Sequence, residues 1–182
     1  KDPHAFGGLT SVDYYYEFSY MIQEAMDNAK NVIKEAGNEF KQIFGKDYGL
    51  IEKYKTDDAE FVLVTYGTIS GTAKDAVDKL REQGIAAGVL KIRAFRPFPR
   101  EEVQEALKNC KKVGVIDRAV SFGHEGPFFT ETKAAMFGDT KPFYGFIAGL
   151  GGRDVSIRDI ESVVDFMNKK NPSNLIWIGV KK

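Results

Sequence analysis

Apolar residues along this chain follow two different rhythms. From Phe18 they recur at Ile22, Ala25, Ala29, Val32, Ala36, Phe40 and Ile43, in steps of three and four. That is the period of an amphipathic helix. A helix from Glu17 to Phe44 would be about 42 Å long, whereas a compact globule of this chain length is only about 40 Å across. The segment must therefore run along a body or reach beyond it. Gly37 costs roughly 1 kcal/mol of helix propensity and is a candidate break. Two readings stay open: a connector packed on the body, or a docking arm. In the second, the aromatic end around Tyr14-Tyr15-Tyr16 needs a partner surface.

From residue 59 the rhythm changes to short apolar runs separated by helical patterns. Phe61–Tyr66 (FVLVTY) is β-branched and ends at Gly67, as a buried strand does. Ala73, Ala76, Val77 and Leu80 share a helical face that Gly84 closes. Ala86–Ile92 reads as a second strand. Pro99 followed by Glu101 and Glu102 is a favourable helix start. That helix has an apolar face of Val103, Ala106, Leu107 and Cys110. Val113–Ile116 is a strand ending at Asp117, and a helix from about Pro127 to Phe137 follows. Pro142–Ala148 is strand-like and ends at Gly149. Ser156 with Asp159 resembles a capping box, ahead of a face of Ile157, Ile160, Val164 and Met167. Leu175–Val180 (LIWIGV) is a last strand. Such alternation implies right-handed crossovers and a mostly parallel sheet covered on both faces. The expected fold is α/β, a three-layer α/β/α sandwich of about five strands over residues 59–182. An aromatic-rich helical connector arm over residues 1–58 precedes it.

Charge sharpens that division. The first 58 residues hold seven Lys and no Arg against eleven Asp and Glu, and ten of the 23 aromatics. The remainder holds nineteen basic against fifteen acidic residues, so the whole chain is neutral. Neutrality argues against bulk electrostatic binding to nucleic acid. With 43% apolar and 29% charged residues, a disordered chain is excluded. No run approaches the ~18 apolar residues of a membrane span. No charged stretch leads into an apolar one as in a signal peptide, and one Cys cannot make an internal disulfide. A cytoplasmic location is the expectation. A chain opening on Lys1 without Met is expected to be a piece of something longer.

The inventory also restricts the chemistry. An iron–sulfur cluster usually takes four Cys thiolates, and a structural zinc takes four Cys or His ligands. Cys110, His4 and His124 are the whole supply. His124-Glu125 is followed by Phe128 where a zinc protease needs His. No metal site is expected in this chain.

Ligands in such folds sit at the carboxyl ends of strands, and four loops qualify. Gly67–Thr72 is a Gly-rich turn into a helix, read as a plain tight turn or as an anion cradle. Arg93–Pro99 holds Arg96, Pro97 and Phe98 on a proline-stiffened loop, suited to an interface or folded inward as a lid. Asp117–Gly126 offers a local Asp117–Arg118 ion pair and His124, read as a loop hydrogen-bonder or a catalytic group. Gly149–Asp154 starts like a dinucleotide fingerprint, but Asp154 stands where the third glycine belongs, and a carboxylate there repels pyrophosphate. Arg153 and Asp154 are therefore read as fixing the loop or meeting a partner.

Several stretches together resemble one family. YGLIEKY (Tyr48–Tyr54), DAEFVLVTYGTISGTAKDAVDKLREQG (Asp58–Gly84), KIRAFRPFP (Lys91–Pro99), VIDRAVSFGHEGPFFTE (Val115–Glu131) and GLGGRDV (Gly149–Val155) resemble the second core domain of pyruvate:ferredoxin oxidoreductase (2-oxoacid:ferredoxin oxidoreductase) alpha subunits. That domain is similar to the transketolase C-terminal domain. DYYYEFSYMIQEAM (Asp13–Met26) resembles the connector before it. The resemblance implies a thiamine diphosphate enzyme that oxidatively decarboxylates pyruvate to acetyl-CoA and passes electrons to ferredoxin. The holoenzyme it implies uses Mg and [4Fe-4S] clusters, with CoA as co-substrate. Its implied partners are a thiamine-binding beta, a gamma and a cluster-bearing delta subunit. This chain has neither the family's GDG…N cofactor motif nor its cluster cysteines. The expectation is therefore a structural, interface domain with no catalytic or cofactor-binding residue of its own. Arg96, Pro97, Phe98, Arg118, His124, Arg153 and Asp154 are its candidate interface residues. Two alternatives are a free-standing anion- or nucleotide-binding module using Gly67–Thr72, and the equivalent domain of another thiamine enzyme. The latter group includes 2-oxoisovalerate:ferredoxin oxidoreductase, transketolase and branched-chain 2-oxoacid dehydrogenase.

Overall fold

In the computed structural model, which describes residues 8–169 and 175–181, the first helix runs further than its apolar period. Helix α1 spans Val12–Phe44, 33 residues, or about 50 Å. It ends at Gly45, in the left-handed region at φ 70°, where a residue without Cβ is favoured. Gly37 does not break it and is its buried residue. A Cβ at Gly37 would stand 2.8 Å from the Tyr48 carbonyl oxygen, so glycine lets the returning chain pass against the helix.

The face of α1 that meets the rest of the protein overlaps the stripe read from the sequence only in part. Met26, Ala29, Lys30, Ile33 and Gly37 are covered, while Phe18, Ile22, Val32 and Ile43 stay exposed. Lys30 and Lys34 reach Glu101 and Glu102 at 3.0 and 2.7 Å. These pairs lie at the surface and contribute little energy.

Six strands form, one more than expected. The addition is β1 (Ile51–Tyr54), ahead of residue 59. Then follow β2 (Phe61–Thr65), α2 (Ile69–Glu82), β3 (Ala87–Ile92), α3 (Arg100–Leu107), β4 (Lys112–Asp117), α4 (Pro127–Ala135), β5 (Phe143–Ile147), α5 (Ile157–Lys169) and β6 (Ile176–Trp177). The order across the sheet is β1-β3-β2-β4-β5-β6. All pairs are parallel except β1 with β3, where Ile51 faces Ile92 and Tyr54 faces Val89. The last strand is shorter than Leu175–Val180. Only two residues pair, at the sheet's edge, and Gly179 at φ 75° turns the chain away.

Strand β2 is buried at every position, as a central parallel strand must be. Its side chains alternate between two cores. Leu63 joins Val89, Tyr144, Phe146, Ile160 and Met167 in one. Val62 and Val64 join Leu90, Val103, Leu107 and Phe129 in the other. Cys110 belongs to the second core, although α3 stops before it. Its Sγ donates to the Leu107 carbonyl at 3.1 Å, and burial pushes its thiol pKa up. A buried neutral thiol of this kind is a packing group.

Local chemistry secures the ends. Ser156 and Asp159 form the capping box. The Ser156 N–H donates to Asp159 Oδ2 at 2.8 Å, and the Asp159 N–H to Ser156 Oγ at 3.3 Å. Edge strand β1 is tied down by Glu52, which pairs with Lys74 of α2 and with Arg93. Burial works against that charge, but the two cations hold the carboxyl below its usual range.

Candidate functional site

Strand β2 leads through α2 to β3 on one side, and the chain then returns to place β4 on β2's other side. Their carboxyl ends flank the crevice where ligands sit in open α/β sheets. The turn after β2 is built from within. Thr65 Oγ1 donates to Ser70 Oγ at 2.9 Å, both buried, and Gly67 takes φ 62°. Across the crevice the Arg118 N–H donates to the Tyr66 hydroxyl at 2.7 Å, and Arg118 Nη1 donates to Thr68 Oγ1 at 3.2 Å. Burial pushes the Tyr66 phenol up, keeping it protonated.

The loop after β5 closes the third side. Gly149 has φ 72°, and a Cβ there would lie 3.2 Å from Arg118 Nε. Glycine thus gives Arg118 its room. Arg153 donates to the Gly179 carbonyl, tying this loop to the chain after β6. The result is a cavity of about 210 Å³ lined by Thr68, Ile69, Thr72, Arg118, Arg153 and Asp154, among others. Loops separate in the sequence thus meet at one place. A larger hollow of about 310 Å³ at the far ends of α3 and α4 is lined by Gln104, Lys108, Met136, Phe137 and Asp139. It lies where strands begin, and its single Lys and single Asp set up no field of one sign.

The expected Asp117–Arg118 ion pair does not form. Asp117 is fully buried and turns to the start of α4. Its Oδ1 accepts the Phe128 N–H at 3.0 Å and its Oδ2 the Phe129 N–H at 2.9 Å. Burial pushes this carboxyl up to about 6, against the pull of those two donors. Sequence reasoning missed this cap. Its signal was an acidic residue closing an apolar strand ten residues ahead of a Gly-Pro helix start.

The loop of residues 93–99 carries an aromatic relay. Phe95 meets Phe98 at 6.3 Å and Phe128 at 4.4 Å, and Phe128 stacks on Tyr66 at 3.8 Å. Pro97 is buried and Phe98 half-buried. Arg96 is exposed; its Nη2 donates to Glu131 at 2.5 Å, and its guanidinium lies 4.4 Å from the Phe95 ring. His124 is exposed, its backbone N–H donating to Ser121 at 2.9 Å, and it does not line the cavity. Arg118, Arg153 and Asp154 are thus brought together, while Arg96, Phe98 and His124 lie apart from them. His4 lies outside the described residues. Among the described residues no three His, Cys, Asp or Glu converge as a metal-binding set, and no helix is long and apolar enough to cross a membrane.

Residues 59–160 match the family described as pyruvate:ferredoxin oxidoreductase core domain II. The chain belongs to this family. Along its whole length it is 40% identical to the pyruvate synthase subunit PorA of Methanothermobacter thermautotrophicus, covering 46% of that protein. Over 93% of its length it is 45% identical to the ketoisovalerate oxidoreductase subunit VorA of Pyrococcus abyssi, covering 44% of that protein. The chain spans about half the length of these relatives. A split-gene transketolase, solved as an inactive beta4 tetramer, superposes with a TM-score of 0.53 at 16% identity over 64% of this chain and 41% of that one. That likeness places the fold with transketolase.

Proposed function

We propose that this chain is the second core domain of the alpha subunit of a 2-oxoacid:ferredoxin oxidoreductase, joined to a helical arm. In this reading it holds neighbouring domains and subunits in place and carries no catalytic residue. The whole enzyme would decarboxylate pyruvate oxidatively in the cytoplasm, form acetyl-CoA and reduce ferredoxin. Thiamine diphosphate with Mg and [4Fe-4S] clusters would be held by other domains and by the beta, gamma and delta subunits. The donor set here does not fit those groups: the one thiol is buried and bonded to Leu107, and no acidic cluster among the described residues suits Mg.

The observation that carries the reading is the joint match to core domain II and, along the arm as well, to the relatives. The arm's surface supports the interface role. Tyr14, Tyr15, Tyr16, Phe18, Met21 and Ile22 are all more than half exposed. Isolated exposed apolar residues are normal, but Tyr14, Tyr15, Phe18, Met21 and Ile22 share one helical face, and an exposed apolar face of this kind marks an interaction site. In the arm-and-domain division we propose, β1 stands with the sheet that it joins. A second reading of the substrate, 2-oxoisovalerate, is favoured by the somewhat higher identity to VorA, 45% against 40% for PorA.

The test is assembly. The chain is mixed with the remainder of the alpha subunit and the beta, gamma and delta subunits. Co-elution and restored 2-oxoacid-dependent ferredoxin reduction are expected, and the faster of pyruvate and 2-oxoisovalerate assigns the substrate. A chain that neither co-elutes nor restores turnover overturns the reading.

A further inference from the structure

The cavity at the carboxyl ends of β2, β4 and β5 has an electrostatic character that a scaffold does not need. The Arg118 and Arg153 guanidiniums donate to neutral acceptors, the Thr68 hydroxyl and the Gly179 carbonyl. Neither guanidinium has a carboxylate partner within ion-pair distance among the described residues. Asp154 is the one acid in the lining, so two positive charges face one negative charge. Helix α2, whose first residues form the cavity's floor, has no acidic residue in its first turn and no side-chain cap from Thr68. Thr68 and Thr72 add hydroxyls.

We propose that this cavity binds a phosphate-bearing anion. Guanidinium forks recognise phosphate oxygens with paired, charge-assisted hydrogen bonds. Donors converging from three loops suit a tetrahedral anion, which offers oxygens in every direction, better than a flat carboxylate. Gly149 is part of the device, because any side chain there would push against Arg118. Asp154 in the lining works against anion binding. Within its own loop, Asp154 repels pyrophosphate. In the fold, Arg118 arrives from after β4 and reverses the balance.

The experiment is an amide NMR titration of the full 182-residue chain with inorganic phosphate, pyrophosphate, ADP and, as a flat anion, acetate. Saturable shifts are expected for residues 68–72 and 153–155 with phosphate, larger with pyrophosphate and absent with acetate. ADP binding tighter than pyrophosphate assigns the phosphate to a nucleotide; equal affinity assigns it to the free anion. Arg118→Met is expected to weaken binding about tenfold. Because Arg118 also steadies the turn at Thr68, Arg153→Met supplies an independent loss of similar size. Asp154→Asn is expected to tighten binding several-fold. Absence of saturable shifts at about 10 mM phosphate or pyrophosphate, acetate binding as well as phosphate, or shifts that survive both Arg variants would overturn the site. None of these outcomes bears on the assembly test, which does not use the cavity.

Discussion

A β-carbon placed on Gly126 would stand 2.2 Å from Asp117 Oδ2. The two residues are nine apart in sequence, yet the carboxylate at the end of β4 and the residue that opens α4 share one buried spot. Gly126 has φ −72° and ψ 141°, a conformation open to any residue, so space alone selects glycine. Gly126→Ala must therefore shift the carboxylate or the helix start, and Asp117 loses good geometry to one or both N–H donors. The expected loss is about 2–4 kcal/mol, read from the urea midpoint at constant slope.

Asp117 also gives stability a pH dependence of known sign. Its carboxyl is pushed up to about 6 in the fold, against about 3.9 in an unfolded chain. Between those values the folded state binds more protons than the unfolded one, so this group's contribution falls as pH rises through that window. The slope at its steepest is about 1.4 kcal/mol per pH unit. Asp117→Asn removes the titration. Urea unfolding of both proteins at about pH 4 and pH 7 should show the variant gaining on the wild type as pH rises; a constant difference would exclude this assignment.

Gly37→Ala tests the arm's seat. On an isolated helix this change stabilises by about 1 kcal/mol. Here the new methyl would meet the Tyr48 carbonyl at 2.8 Å, so the arm is expected to lift from the turn at residues 45–50. Faster proteolytic cleavage in that turn, together with unchanged or lower thermal stability, is the predicted outcome.

The loop at residues 93–99 gives a contrasting pair. Arg96 and Glu131 are about half and one-third exposed, so Arg96→Ala should cost well under ~1 kcal/mol. Phe98 packs against the second core and the Phe95 ring, and Phe98→Ala should cost about 2 kcal/mol or more. Denaturant curves of the two variants side by side measure the contrast.

Much of the fold was legible because parallel strands buried on both faces must be apolar throughout. FVLVT cannot be mistaken for a loop, and Gly84 marks the helix end before the next strand. Strand β1 was not legible: IEKY is four residues at an antiparallel edge, and only its pairing with β3 makes it a strand. The stripe on α1 is periodic as read, but most of it is left to solvent, while Met26, Lys30, Ile33 and Gly37 meet the body beside Ala29 of the stripe. Periodicity reports that a face exists and says nothing of what covers it. The cavity escaped for a related reason. Thr68, within the candidate Gly67–Thr72 turn, and the candidate interface residues Arg118 and Arg153 stand in three separate loops of the sequence. Their convergence depends on β4 lying between β2 and β5, a strand order that alternation does not encode. Asp117 was paired with its neighbour Arg118 because local partners are visible in a sequence, whereas its true partners lie eleven and twelve residues away.

In the proposed role this chain would position other parts of an oxidoreductase without turnover of its own. The most direct measurement is 2-oxoacid-dependent ferredoxin reduction by the purified chain supplied with thiamine diphosphate, Mg²⁺ and CoA. No reduction above the rate without protein is expected. Steady ferredoxin reduction by the chain alone, scaling with its concentration, would contradict that role.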